Sequence, residues 1–473
     1  MKSFPYQTVW KLAAPNIVSN MLAVSTMIAH MYIVAPLGAD ASAAVISATR
    51  VNFLLMAAAM ALSVATTALV ARAWGAEDYE EANKAATSSI GLSFIIALAI
   101  ATPVFLFAEQ IASIFSDDPS LIATTTTMMY PIACLCVIYA VNLTLSTNYR
   151  AIGNVLRPLK IMAVSSVSNI VMAYGFTMGA FGLPALGPLG IPVGACVAQV
   201  GITALYFIIW AQGKHEIKPN WDYLFCPIRF KKLAKIGIPS ALEQYVIQIG
   251  SIIVMALLVS YGTEAFVAYG IGINILSVCI VIGIAFGSAG ATLSGQRIGA
   301  GEPDQARQSG YVALKMALLC MTFLALVFGL FREPLSYLLT DDPAVAAHAQ
   351  MFVVILALCQ PLMAIEFAVG GTLRGAGDTR FPMMATLIGT IGARVILGYI
   401  CVLNSWPLWI MYSLMLLDFI IKASALLWRL QGNIWLKSLD QTPPAPLQSA
   451  HAINRTGVRE YYRIHCDEEE IKE

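Results

Sequence analysis

The sequence predicts an all-α integral membrane protein with twelve transmembrane helices in two six-helix bundles. The bundles should be related by a parallel internal repeat, with a pseudo-twofold axis along the membrane normal. Three observations carry this reading. Of 473 residues, 58% are hydrophobic and only 12% charged, whereas soluble domains hold about 45–50% and about 25%. Twelve apolar stretches are long enough to cross a bilayer, and lipid offers their backbones no partner but their own helix. Finally, the chain shifted so that Lys11 lies on Lys235 falls on itself without a gap, and an internal repeat decides a fold before any other signal does.

The matches at that one offset are specific. Lys11 to Pro15 meets Lys235 to Pro239, and Gly38 meets Gly262. Leu69 to Ala76, with Ala82, meets Leu293 to Ala300, with Ala306. Asp117-Asp118-Pro119 meets Asp341-Asp342-Pro343, and Arg150 to Pro158 meets Arg374 to Pro382.

In chain order, spans are expected over 11–36, 44–71, 86–108, 122–148, 159–180 and 191–211, then 235–260, 266–295, 309–331, 345–372, 382–403 and 406–428. They divide the chain into a first lobe (1–213), a connection (214–234), a second lobe (235–430) and a polar tail (431–473). The connection sets Trp221, Tyr223 and Phe225 among basic residues, which suits a segment at the headgroup surface. The first span is too long for a cleavable signal peptide and lacks an A-x-A-like site, so none is expected. With the N-terminus cytoplasmic, nearly all 28 basic residues fall in or beside cytoplasmic segments. Arg332 alone lies outside, and Arg50, Arg394 and Lys422 lie within spans. The outer connections carry Asp40, Asp117, Asp118, Glu264, Asp341 and Asp342. Both termini are therefore expected inside. Six spans per copy is an even number, so both copies enter from one face, and a substrate site is expected near the midplane between them.

Net charge +1 gives no sign of a nucleic-acid partner. The nine cysteines are scattered, with no CxxC, and read as small buried hydrophobes. No clustered catalytic set such as H-E-x-x-H or G-x-S-x-G appears, so an enzyme is not expected.

At its repeated motifs the chain resembles the multidrug and toxic compound extrusion (MATE) family. The matching elements are Pro15 and Pro239 opening each half, A-L-V-A-R-A-W-G-A at 68–76, and T-L-S-G-Q-R-I-G-A-G at 292–301. The most specific is T-L-R-G-A-G-D-T at 372–379, with N-Y-R-A-I-G-N at 148–154 as its weaker twin. The resemblance spans about residues 8–430. It implies a secondary antiporter of a bacterial inner membrane that exports organic, often cationic compounds in exchange for H⁺ or Na⁺. No cofactor is implied, and no G-x-x-x-x-G-K-S/T loop for nucleotide appears. A monomer is expected. The alternatives are a flippase for lipid-linked saccharides, which would be expected to carry more basic residues in its cavity, or an exporter of one dedicated metabolite.

An ionisable or amide group inside the bilayer is costly, so each is a candidate. Asn16, Asn20, Ala23, Met27 and His30 follow helical spacing on the first span and share one face. Gln244, Gln248 and Ser251 form the corresponding stripe on the seventh. Both stripes are expected to face a central cavity, with Asn142, Asn169 and Arg394 as further lining groups. His30, Glu243 and Glu366 are candidate ion-coupling residues. His30 stands where one prokaryotic branch of the family usually has a cation-coupling Asp, and this departure favours protons. The family commonly carries acidic residues on the seventh and tenth spans, where Glu243 and Glu366 lie without an evident local partner. Glu→Gln at either is therefore expected to abolish export with near-normal protein levels. Asp418 and Lys422, at i and i+4, can neutralise one another. Arg50 and Arg394 have no partner legible in the sequence. Pro15, Pro239, Arg150, Gly153, Arg374, Gly377 and Asp378 read as hinge and turn residues.

Overall fold

A computed structural model describes residues 5–114, 118–211, 216–337, 340 and 342–437. Within them twelve helices are long and apolar enough to span a membrane. The first lobe holds α1 (Pro5–Val34), α2 (Ala39–Gly75), α3 (Tyr79–Leu106), α4 (Pro119–Ala151), α5 (Leu156–Met178) and α6 (Gly190–Ala211). The second holds α7 (Pro227–Val259), α8 (Thr263–Gly299), α9 (Pro303–Leu330), α10 (Pro343–Gly375), α11 (Arg380–Leu403) and α12 (Leu408–Gln431). The predicted tail beyond residue 437, the connection over 212–215, Asp117, Asp341 and the side chains of Asp40 and Arg50 lie outside the described residues.

The repeat survives in the backbone. The bounds of α2, α3 and α4 map onto those of α8, α9 and α10 at the offset that carries Lys11 to Lys235, to the residue. Gly38 and Gly262, both at φ 102°, lead the chain into α2 and α8. Asp118 and Asp342 cap α4 and α10 in the same way, each accepting at 2.9 Å from the amide two residues on. The Ser120 amide and hydroxyl both donate to Asp118 and hold its exposed carboxyl below the usual carboxylate range. Gly153 (φ 92°) and Gly377 (φ 87°) make the turns after α4 and α10, in a region that glycine enters freely. After α2 and α8 the equivalent left-handed position is Glu77 (φ 59°) in one copy and Gly301 (φ 74°) in the other. A side chain there costs about 1–2 kcal/mol, so the first copy carries strain the second lacks. The offset ends before the last helix: Gly179–Leu189, with two 3₁₀ turns, precedes α6, but only residues 404–407 precede α12.

Pro15 and Pro239 lie inside α1 and α7, which start at Pro5 and Pro227, ahead of the spans expected from 11 and 235. The helices outrun the apolar spans because their first turns stand in the polar interface. Arg374 lies in the last turn of α10, just before the turn at Gly377, and its side chain is committed to an ion pair described below.

The lobes meet along the halves of α1, α2, α7 and α8 nearest the chain's N-terminus, hereafter the basic face. Trp10 packs near Phe286 with ring centroids 6.4 Å apart, and the Asn20 amide donates to the Val281 carbonyl at 3.2 Å. Closer to that face Thr292 donates to the Arg150 carbonyl (3.2 Å) and Gln296 to the Ala151 carbonyl (2.8 Å). The contact is itself two-fold: Gly75 lies against the Gln296 backbone and Gly299 against the Arg72 backbone, and the repeat carries each pair onto the other. A Cβ at either glycine would overlap the facing carbonyl, as expected where small residues let backbones touch. Toward the far face the cores separate. Ile33, Val34, Ala41 and Val45 bury themselves in a cluster of first-lobe residues, while Tyr32, Ile46 and Phe53 on α1 and α2 are left exposed. The inter-lobe contacts named here thus lie toward the basic face, where the lobes clasp one another.

The inter-lobe connection is tied down on that closed face. Ser88 donates to the Tyr223 carbonyl at 2.6 Å, the Lys218 amide donates to Asn83 at 2.8 Å, and Arg229 pairs with Glu81. Trp221 and Phe225 remain exposed beside them.

Candidate functional site

The polar groups inside the spans collect in the interiors of the two lobes, in chemically different sets. In the second lobe, α7, α10, α11 and α12 bring six ionisable side chains together. Glu243 on α7 is 1% exposed and accepts two bonds from Arg374, at 2.8 and 3.2 Å, and one from the Thr386 hydroxyl at 3.3 Å. Asp418, fully buried on α12, receives Lys422 at 3.0 Å and Arg394 at 3.5 Å. Lys422 also stands 3.6 Å from Glu366 on α10. Three carboxylates (Glu243, Glu366, Asp418) against three cations (Arg374, Arg394, Lys422) sum to no formal charge. That balance is what admits them to lipid, where one unpaired charge costs about 2.5–3.5 kcal/mol even on insertion scales.

Backbone geometry makes room for the cluster. The middle of α11, Leu387–Ile396, is π-helical, a widening often found at functional sites. Its Gly389 lies against the Asp418 carboxylate and the Lys422 stem, where any side chain would collide. Arg394, from the same stretch, also lines a small cavity with Tyr269, Phe352 and Tyr412. Asp378, in the turn after α10, is bound by Arg429 at 2.7 Å, tying the end of α12 to that turn.

The first lobe is neutral where the second is charged. At the repeat offset Asn142 holds the position equivalent to Glu366, and Ser19 that of Glu243. Asn142 donates to Gln199 at 2.8 Å and accepts from Thr203 at 3.0 Å, while Gln199 donates to Ser165 at 3.2 Å. Ser19 bonds back to the Pro15 carbonyl of its own helix. The His30 Nε2–H donates to Asn169 Oδ1 at 2.8 Å, joining α1 to α5. Arg150, the counterpart of Arg374, sits near Tyr139 and Tyr206 instead of a carboxylate.

Several expected placements change accordingly. Glu243 and Glu366 are not without partners; the cations come from helices distant in sequence. Arg394 is not a cavity-lining residue between the lobes but an interior partner of Asp418. The α1 stripe divides: Asn16 bonds its own helix at Leu12, Asn20 reaches across to α8, and His30 turns into its own lobe. On α7, Gln244 and Gln248 are half-buried, and Ser251 bonds back to Ile247. Asn142 and Asn169 lie inside the first lobe. Gln199 and Thr203 escape the sequence reading, although an amide in the middle of an apolar span is the very signal used for Asn142.

The comparisons with known proteins agree with the two-lobed fold. A family model described as MatE matches residues 15–175 and 239–400, once in each lobe. A probable multidrug resistance protein NorM of Thermotoga maritima is 25% identical over 402 residues, covering 83% of this chain and 84% of that one. A Shewanella oneidensis protein named as an FAD transporter is 24% identical over 352 residues, covering 73% and 76%. Among solved structures, an outward-facing conformation of a multidrug resistance MATE family transporter superposes with TM-score 0.84 at 19% identity, covering 93% of this chain and 97% of that one.

Proposed function

The chain belongs to the MatE family of membrane transporters, and on that premise we propose that it is a secondary active exporter. It takes organic, chiefly cationic compounds from the cytoplasm in exchange for H⁺ or Na⁺. It does so as a monomer in a bacterial inner membrane, with both termini cytoplasmic. On this reading the basic face is the cytoplasmic one, and the closed clasp there is one end of an alternating-access cycle.

The observation that supports ion coupling is the buried, balanced set of charges between α7, α10, α11 and α12. Ionisable side chains held inside a bilayer are costly and commonly mark ion pathways. Export against a gradient needs ion and substrate to favour different conformations. A carboxylate whose cation partner can change between those conformations supplies that difference.

The test is efflux in everted vesicles, following H⁺ and Na⁺ release on addition of each of a panel of organic cations. Ion release tied to substrate uptake supports the proposal, and uptake indifferent to both gradients contradicts it. His30→Gln refines the test, because glutamine keeps a hydrogen-bonding group for Asn169 but cannot titrate. If His30 carries protons, this variant loses the dependence of transport on pH between about 5 and 8. An unchanged pH profile assigns it to packing.

A second reading, export of one dedicated metabolite of anionic character, is favoured by one observation. Each of the three buried carboxylates of the second lobe already faces a fixed cation, and the first lobe offers Arg150 with no acid at the equivalent of Glu243 or Glu366. The relative named as an FAD transporter fits such a cargo. Competition between flavin nucleotides and organic cations in the same vesicles separates the two.

A further inference from the structure

Coupling to H⁺ and coupling to Na⁺ make different demands on the second-lobe carboxylates, and one side chain bears directly on the choice. The Lys422 ammonium stands 3.0 Å from Asp418 Oδ1, 3.1 Å from Asp418 Oδ2 and 3.6 Å from Glu366 Oε1. Its side chain is only 4% exposed, and those of Asp418 and Glu366 are 0% and 10% exposed. It is enclosed as well as paired. The α11 backbone at Gly389 closes on its stem, where a Cβ would lie 3.1 Å from both Cγ and Cε. The Phe419 ring centroid lies 5.4 Å from Nζ. The other charged groups of the cluster are committed too: Arg374 to Glu243, and Arg394 to Asp418.

We infer that Lys422 is a tethered counter-cation that closes Glu366 and Asp418 to Na⁺ and leaves the proton as the ion this lobe can take. The ammonium fills the space between the two carboxylates where a mobile monovalent cation would have to sit. Being covalently attached, it competes at a high effective concentration. Both ions add one positive charge to the set, but a Na⁺ ion must also displace the ammonium to reach the carboxylate oxygens. A proton needs no such space: it adds to a Glu366 oxygen while Lys422 stays on Asp418. This inference rests on reading the chain as an ion-coupled exporter and names the ion for that same site.

The test measures ion binding on the purified full-length protein, not transport. Thermal unfolding in detergent is followed while NaCl replaces KCl at constant ionic strength. Wild type is expected to show no Na⁺ response that Glu366→Gln removes. Lys422→Met exposes both carboxylates and is expected to gain a saturable rise of about 2–4 °C between about 1 and 100 mM Na⁺. That gain should vanish when Glu366→Gln is added. Lys422→Arg, which keeps the charge, is expected to stay blind to Na⁺. The inference is overturned if Lys422→Met folds yet gains nothing over wild type, or if Glu366→Gln abolishes a Na⁺ response of wild type. Should Lys422→Met yield no folded protein, the wild-type and Glu366→Gln comparison decides alone. A Na⁺ response in wild type would leave the export reading standing with the other ion. Failure to detect efflux would leave the binding result untouched.

Discussion

Glu243→Gln is expected to cost the protein about 3–5 kcal/mol and most of its accumulation in the membrane. The substitution removes the carboxylate that the Arg374 guanidinium, whose side chain is 17% exposed, is directly paired with. Breaking one side of a buried pair is strongly destabilising for that reason. The sequence alone points the other way, to normal levels and lost export, because spacing leaves Glu243 unpaired. The double variant Glu243→Gln with Arg374→Met separates the two roles. Removing both charges of a buried pair is often close to neutral, so membrane content should recover. If Glu243 also takes part in coupling, efflux stays lost. Immunoblots of membranes and unfolding midpoints in detergent check the first effect, and vesicle efflux the second. A single variant as stable as wild type would show that the pair contributes nothing.

Gly299→Leu is expected to lower efflux by an order of magnitude or more while leaving membrane levels near wild type. A Cβ there already overlaps the Arg72 carbonyl across the lobe boundary. Something must shift, and the compliant element is the interface between the lobes, which a transporter of this kind has to open and close. Gly75→Leu, the equivalent in the other copy, should behave alike because it meets the Gln296 carbonyl. Wild-type efflux from both variants would mean that the clasp is incidental.

Most of the fold is legible in the sequence, since the repeat and the apolar spans define twelve helices and their pairing across the lobes. Where that reading fails, the cause is local. The first and seventh helices start ahead of the spans expected from 11 and 235, because first turns in the interface do not need to be apolar. The short connection before α12 breaks the offset, and no motif marks that. For the site, cost in lipid singles out Asn142, Asn169, Glu243, Glu366 and Arg394, and these lie in lobe interiors, not on the central cavity expected for Asn142, Asn169 and Arg394. Their partners are not legible, because Glu243 meets a residue 131 positions away and sequence spacing reports only neighbours on one helix. Asp418 with Lys422, four residues apart, is the pair that spacing can find. The chemical asymmetry of the lobes is within reach of the sequence: Glu366 and Asn142 are related by the same offset that reveals the repeat.

On this account solute crosses because the two lobes part at the basic face and close again. A disulfide across that boundary tests it most directly. A Cβ at Gly237 on α7 would lie 3.7 Å from that of Ala65 on α2, within the range a disulfide spans. Ala65→Cys with Gly237→Cys is therefore expected to cross-link the lobes in everted vesicles under mild oxidation. Efflux should stop in proportion to the cross-linked fraction and return on reduction, while wild type under the same oxidant is unaffected. Undiminished transport by fully cross-linked protein would contradict the account.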